Sequence, residues 1–477
     1  MACFDCFLTF AYSNQQPHRT MKRTITSLAL LALAVFVQAQ SKDEAVIRQI
    51  FDQALSQGKS YEMLEELTTK IGPRLSGSPG AAAAVEWSRH KMEFLDFDSV
   101  WLQPVMVPHW VRGDHEIGRI NSKKRGTIAV NVCALGGSIG TGPTGIAAEV
   151  VEVKSFEELK SLGTKGVQGK IVFFNRPMDP TRINTFAAYG GAVEQRGSGA
   201  SEAAKYGAVA ALVRSMGSNP EDYPHTGSMR YAPNVVQIPA LAISTRHADV
   251  LSKLLKEEKD LQVYLENHSV TLEDTPSYNV IGELKGSEYP HEIIVVGGHL
   301  DSWDLGQGAH DDGAGCVQSI EVLRLFKQLG YKPKRTIRAV MFMNEENGLR
   351  GGLMYAEQAE KKKENHIAAM ESDRGGFVPR GFTVPTDPTA RNKVRSWKPL
   401  LERYGLTDFS TEGGGADIGP LARLGVPLLG YLPDSQRYFN YHHTAEDTID
   451  KVDKRELEMG AAAMAALVYL IDQYGLK

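Results

Sequence analysis

The chain has 477 residues, 23% of them charged and 42% hydrophobic, which are ordinary proportions for a globular protein and leave room for two or three domains. Its 53 Lys and Arg against 57 Asp and Glu give a formal net charge of −4. That balance provides neither the basic footprint of a nucleic-acid binder nor an attraction to an acidic membrane, so no nucleic acid is expected among its partners.

The first landmark is MKRTITSLALLALAVFVQAQSKDE, beginning at Met21. Lys22 and Arg23 precede an apolar run from Leu28 to Val37, and Val37-Gln38-Ala39 supplies a small-residue cleavage site. The run is too short to cross a bilayer comfortably. Met21–Ala39 is therefore expected to be a signal peptide, predicting a secreted or periplasmic protein with no membrane anchor. Residues 1–20 are expected to be an upstream extension from a misplaced start. Beyond the signal only Cys133 and Cys316 remain. Their spacing does not say whether they pair, and Cys316 falls in a helical apolar pattern that suits a small core residue.

Val46, Ile47, Ile50, Phe51 and Leu55 recur at helical spacing and predict a helix over Asp43–Gln57. A second helix is expected around Tyr61–Ile71, then a turn-rich loop from Gly72 to Ser78, a helix over Ala81–Phe94 and an alternating strand over Val100–Trp110. Residues 40–122 are thus expected to form the N-terminal part of a catalytic domain. From about Gly126 to Glu266 the texture changes to short strands and glycine turns. Strands are predicted at Ile128–Cys133, Ile146–Val153, Lys170–Phe174, Ala208–Val213 and Pro239–Ile243, with helices at Ser201–Tyr206 and Arg246–Glu257. No cluster of His, Cys or paired carboxylates occurs there, so 123–267 is expected to be an inserted β-rich domain, either a lid or a support. Residues 268–477 then resume the catalytic domain. Strands at Tyr278–Leu284, into His299, at Thr336–Met343, Ile367–Met370 and Pro427–Tyr431 alternate with helices at Ala314–Leu329, Leu353–Lys363 and Arg455–Tyr474. That alternation predicts a three-layer α/β/α sandwich with a mixed, largely parallel central sheet.

The richest stretch is VVGGHLDSWDLGQGAHDDGAG, Val295 to Gly315. An apolar run ends at Gly297-Gly298 and is followed by His299, Asp301, Asp304, His310, Asp311 and Asp312. Ligands of open α/β sheets gather at the carboxyl ends of buried strands, where this pattern belongs. It recurs where Thr336–Met343 runs into Asn344-Glu345-Glu346 and where His366–Met370 runs into Glu371-Ser372-Asp373, while Tyr441-His442-His443 adds distal imidazole. Imidazole and carboxylate together suit borderline metals such as zinc. A pair of ions needs one carboxylate to bridge them and another to act as base.

GGHLDSWD (Gly297–Asp304), HDDGAG (His310–Gly315), NEE (Asn344–Glu346), ESD (Glu371–Asp373) and HHTAEDT (His442–Thr448) together resemble the M28 family of zinc exopeptidases, its carboxypeptidase Q group above all. The resemblance covers essentially all of the chain after the signal, and it implies that the inserted segment is a protease-associated domain. It implies two Zn2+ ions, with Asp311 bridging them, His299 and Asp373 on one, and Glu346 and His443 on the other. Glu345 would be the general base, Asp301 would orient the His299 imidazole, and Asp312 would belong to an unusual peptide bond after Asp311. Many M28 aminopeptidases carry a Tyr directly before the last ligand His, as donor to the oxyanion. Here that place is taken by His442, with Tyr441 as the alternative donor or a substrate contact. Asp417, after Gly413–Gly415, is expected either to contact a substrate amine or to cap the helix that follows. Asp304 and His310 are expected to face solvent or support the ligands, Trp303 to pack, and Asp447 to cap the turn after His443. The implied function is a secreted di-zinc exopeptidase acting on dipeptides or on the free N-termini of short peptides, with homodimerisation left open. A single-zinc cyclotransferase of the glutaminyl-cyclase type, or a binding protein with a dead site on the same fold, would lack ligands that are all present here.

Overall fold

Two β-sheets carry the fold. The computed structural model describes residues 42–476; the expected signal peptide Met21–Ala39 and the extension before it lie outside the described residues. The chain forms two units, Met1–Gln49 and Ile50–Lys477. Residues 42–49, the described part of the first, are helical, and the strands lie in the second. In chain order these are β1 (Ser99–Val111), β2 (Glu116–Ser122), β3 (Gly126–Val130), β4 (Val132–Ala134), β5 (Ile146–Val153), β6 (Ile171–Phe174), β7 (Ala210–Arg214), β8 (Ala240–Ile243), β9 (Gln262–Asn267), β10 (Val270–Leu284), β11 (Tyr289–His299), β12 (Arg335–Phe342), β13 (Asn365–Glu371), β14 (Pro379–Phe382) and β15 (Leu428–Pro433).

The first sheet has seven strands in the order β1-β10-β12-β11-β13-β15-β14. Its centre is parallel, β11 pairing with β12 and β13, and β13 with β15. The flanking pairs β1–β10, β10–β12 and β14–β15 are antiparallel. The sheet is mixed as expected, with its parallel character confined to the middle. On one face Ile293, Val295, Val340, Phe342 and Ala369 are buried together with Tyr355, Ala356 and Ala359 of the helix Arg350–Lys362. Ile294 and Val296 are equally buried, and the two-residue period of a strand turns them to the opposite face. There the helix Ala314–Gln328, buried at every position from Ala314 to Phe326, lies between the sheet and the helix Lys454–Tyr474. A helix buried all round belongs in the interior. Two of its buried polar residues are paired there, Glu321 with Arg324 and Gln318 with Ser372. The result is three layers, α/β/α.

The second sheet has eight strands in the order β3-β2-β9-β5-β6-β7-β8-β4. Its β5-β6-β7-β8 run is parallel, and buried clusters line both faces. One includes Ala248, Leu251 and Leu254 of the helix Thr245–Glu257. The other includes Leu159 of the helix Phe156–Val167 and Ala200 and Ala203 of the helix Glu194–Ala204. The segment expected to be β-rich is thus itself layered, and β2, which precedes residue 123, pairs inside it. The chain passes between the sheets at residues 112–115 and again at residues 268–269.

What positions the site is register. Parallel pairing sets His299 opposite Phe342, and Gly297 opposite Val340 and Glu371. The residues after β12 and β13 therefore emerge level with the end of β11. Asn279 locks this edge: its amide donates to Gln103 Oε1 (2.8 Å) and to the Gly351 carbonyl (2.9 Å), while its Oδ1 accepts from the Met343 amide (2.9 Å). Asn279→Ala is expected to cost about 1–3 kcal/mol for each buried group left unpaired, seen as a lowered midpoint of denaturant unfolding. An unchanged midpoint would show that these groups find other partners.

Candidate metal centre

Asp311 is the point on which the predicted ligands converge. It lies in the turn Ala309–Gly313, just before the helix Ala314–Gln328. Its Oδ1 stands 3.3 Å from His299 Nε2, and its Oδ2 stands 3.3 Å from His443 Nε2. Each imidazole meets one further carboxylate: His299 Nε2 is 3.6 Å from Asp373 Oδ1, and His443 Nε2 is 3.1 Å from Glu346 Oε2. His442 stacks on His443 with ring centroids 3.5 Å apart, and its Nε2 lies 3.7 Å from Asp311 Oδ2. The rings of Tyr189, Tyr438 and Phe439 surround it at 5.1–5.2 Å. Tyr441 goes elsewhere, its ring stacked over His310 at 5.4 Å and Phe377 at 6.4 Å.

The supports of these ligands differ in part from expectation. His299 Nδ1 lies 2.8 Å from the Asp301 carbonyl and 3.8 Å from its carboxylate. A carbonyl can only accept, so Nδ1 carries a proton, and Nε2 is the nitrogen turned toward Asp311 and Asp373. The Asp301 carboxylate serves another purpose. It accepts from the amides of Asn344 (2.7 Å), Glu345 (3.0 Å) and Glu346 (3.3 Å). Those amides lie past the strand end, where ladder partners run out and an acceptor must be supplied. Asp447, expected to cap the turn after His443, instead accepts from the amides of His310 (2.7 Å) and Asp311 (3.1 Å). Asp312 accepts from the amides of His299 (3.0 Å) and Gly315 (2.9 Å), and the Asp311–Asp312 peptide bond is cis.

His310 is buried, with Nδ1 accepting from the Gly376 amide at 3.2 Å, and Asp304 pairs with Arg112 at 2.9–3.0 Å. Trp303 packs as expected, its ring 5.7 Å from that of His443 and its amide donating to Glu346 Oε1 at 3.2 Å. Asp417 caps nothing: it is 1% exposed and neither carboxylate oxygen has a hydrogen-bond partner. Its neighbour Ala416, rather than Asp417 itself, lines the cleft. Cys133 and Cys316 are both free and buried, and the Cys316 thiol donates to the His299 carbonyl at 3.1 Å.

Two contributions escaped the sequence. The fully buried guanidinium of Arg74 donates to the carbonyls of Leu300 (2.8 Å), Gly72 (3.0 Å), Gln307 (2.6 Å) and Gly308 (2.9 Å). It thereby fixes the loop between His299 and Asp311. The inserted segment supplies a wall: Phe186, Tyr189, Arg196, Ser228 and Arg230 line a cleft of about 380 Å³ opposite Asp311, Glu345, Glu346, Asp373, His442 and His443. It also grips His443 directly. The Thr226 amide donates to the His443 carbonyl at 3.0 Å, while His443 Nδ1 lies 3.3 Å from the Thr226 carbonyl and 3.4 Å from Arg196 Nη1. Gly227, at φ 131°, leaves no space for a side chain, since a Cβ would stand 2.6 Å from His443 Nδ1. No spacing rule links residue 226 or 74 to the motifs.

The electrostatics favour cations at this point. Burial pushes the Glu345 and Glu346 carboxyls well above their ordinary values, helped at both by Asp373 and Asp301, at Glu345 by Glu346 and at Glu346 by Asp311. Burial alone would lower His299 and raise Asp311. The close imidazole–carboxylate pairs prevail, holding His299 well above and Asp311 well below the usual ranges. Burial and the neighbouring His443 hold His442 well below its usual range. Positive charge is stabilised between the imidazoles and Asp311, whose buried Oδ2 accepts no hydrogen bond. The ligand atoms of His299, Asp311 and Asp373 lie within 4.8 Å of one another, as do those of Asp311, His442 and His443. Buried imidazole and carboxylate donors around an unpaired oxygen fit borderline divalent ions.

The sequence profile described as Peptidase family M28 matches residues 279–468. Carboxypeptidase Q of Xenopus laevis is 38% identical over 429 residues, covering 89% of this chain and 89% of that protein. Carboxypeptidase Q of Homo sapiens is 36% identical over 416 residues, covering 87% and 86%. The crystal structure of a peptidase M28 precursor from Shewanella amazonensis SB2B superposes with a TM-score of 0.86 at 36% identity, over 91% of this chain and 97% of that one.

Arg74→Lys keeps the charge but loses the fork that spans several carbonyls. Supports of this kind are worth about 10–100-fold in metal affinity or activity. Loss of kcat/KM in that range is therefore expected, and activity within about twofold of the parent would show that the loop holds itself.

Proposed function

The chain belongs to peptidase family M28, in the carboxypeptidase Q group, and from that premise we propose that this metallopeptidase is a secreted di-zinc exopeptidase. It would cleave dipeptides or release residues from the free N-terminus of short peptides. The observation that carries the reading is the Asp311 carboxylate, one oxygen turned to His299 and the other to His443, each imidazole backed by a carboxylate of its own. Secretion rests on Met21–Ala39. Among the described residues no helix is long and apolar enough to cross a membrane.

Asp311 would be shared by both ions, His299 and Asp373 completing one set and Glu346 and His443 the other. Two Zn2+ ions held by these residues would supply Lewis acidity to acidify water and polarise the scissile carbonyl. Glu345 follows Asn344 on a backbone pinned by Asp301. It takes the proton of the attacking water and delivers it to the leaving amine. Glu346, one residue on, faces His443, so neighbouring glutamates serve different ends. His442 would be the donor to the oxyanion: its Nε2 lies on the Asp311 side, and its ring is held by His443, Tyr189 and Tyr438. Tyr441, stacked away over His310, and Asp417, behind the wall at Ala416, are not given substrate contacts. The inserted segment, a protease-associated domain in this reading, lines one side of the cleft through Phe186, Tyr189 and Arg230, where it would restrict the length of peptide admitted.

Product mapping by mass spectrometry, with free and N-acetylated di- and tripeptides, tests this function. Free dipeptides or N-terminal residues should be released and acetylated peptides spared. Equal cleavage of acetylated peptides would contradict it. Glu345→Gln should retain its metal and lose about a hundredfold or more in turnover; near-normal turnover would remove Glu345 from the role of base. His442→Phe should lower kcat more than it raises KM, at a cost of up to about 2.7–4 kcal/mol, with metal content intact and Tyr441→Phe near the parent. Metal loss in His442→Phe would make His442 a ligand instead.

A further inference from the structure

A second group of metal-ligating side chains lies away from the cleft, where the chain crosses between the two sheets. The β1–β10 ladder ends at the pair Val111 and Val270, and the β2–β9 ladder begins at the pair Glu116 and Asn267. Residues 112–115 on one crossing are thus matched by only residues 268–269 on the other, so the longer crossing must bulge. The two are in contact: Gly113, at φ 85°, comes so close to His268 that a Cβ would stand 2.5 Å from its carbonyl oxygen. Directly beyond it, Asp114 Oδ1 lies 2.8 Å from His115 Nδ1 and 3.0 Å from His268 Nδ1.

We propose that Asp114, His115 and His268 form a site for one borderline divalent metal ion, such as Zn2+, that clamps the two crossings together. Their ligand atoms all lie within 4.8 Å of one another, and the two imidazole rings are 4.8 Å apart at 37°. Both rings turn the same nitrogen, Nδ1, toward one carboxylate oxygen. His268 Nε2 in turn lies 3.3 Å from Glu266 Oε1, and Glu266 is held by the Tyr264 hydroxyl. A carboxylate behind the far nitrogen of a histidine is the usual support of a metal-bound imidazole. Two imidazoles and one carboxylate leave the fourth tetrahedral position to water, which reaches the site freely, since the Asp114 and His115 side chains are 77% and 49% exposed. The location gives the clamp a purpose. Arg112, beside it, ties Asp304 of the His299–Asp311 loop to Ala134 and Thr226 of the inserted segment, and Thr226 holds His443.

The test is equilibrium dialysis of the full-length, metal-replete enzyme against Zn2+, with bound zinc measured per chain. The parent should take up one zinc beyond its resident metal, and the His115→Ala/His268→Ala double variant should not. Glu266→Gln should weaken that uptake about 10–100-fold. Asp114→Asn, a change confined to an exposed side chain, should weaken it at least about tenfold and keeps the test decisive if the double variant folds poorly. Peptide hydrolysis without added zinc should be unchanged in all of them. No additional zinc on the parent, or uptake preserved in Asp114→Asn and the double variant, would overturn the site and leave a hydrogen-bonded cluster.

Discussion

The structure depends on keeping negative charge buried around Asp311. Asp301, Asp311, Asp312, Glu346 and Asp447 are each 6% exposed or less. Desolvation alone would drive such a group to protonate or disperse. Two solutions divide the carboxylates. Asp301, Asp312 and Asp447 spend their oxygens on backbone amides, which neutralises them locally and sets the backbone at Asn344–Glu346, His299 and Asp311. Asp311, Glu346 and Asp373 instead face the imidazoles of His299 and His443. Arg74 does the complementary work with a buried positive charge, collecting the carbonyls of the intervening loop. The first group and Arg74 give the second its geometry.

The inserted segment belongs to this arrangement as well. A hydrogen bond from Thr226 to the His443 carbonyl and the close approach at Gly227 place a piece of the second sheet's unit against a residue of the metal centre. Arg196 and Tyr189 then surround the His442–His443 pair from the same side. Movement at the crossings would therefore be felt at the imidazoles.

Legibility followed the range of the interaction. The strands of the parallel centre could be read because apolar runs of fixed length end in glycine or carboxylate, and parallel register alone brings His299, Glu346 and Asp373 level. Their convergence on Asp311 could be expected only through the family likeness. Arg74 lay hidden in a loop of glycine, proline and serine, because the carbonyls of Leu300, Gln307 and Gly308 that it collects are more than 200 residues away. Thr226, Tyr189 and Arg196 were equally silent: none belongs to a ligand spacing, and the short helix Thr185–Gly190 leaves almost no periodicity to detect. The exchange of roles at Asp301, carbonyl for imidazole and carboxylate for amides, concerns atoms within one residue, which residue types cannot distinguish. Asp447 shows the same limit, reaching the Asp311 amide 136 positions away instead of its own turn.

The central claim is that one carboxylate serves two metal sites, and metal stoichiometry tests it most directly. Elemental analysis of the parent and of Asp311→Asn, each dialysed against a graded series of free zinc, gives both occupancy and affinity. If Asp311 is shared, the parent holds two zinc ions at its catalytic centre and the variant loses affinity for both together. A parent with a single catalytic zinc, or an Asp311→Asn protein that keeps either ion with its original affinity, would contradict the account.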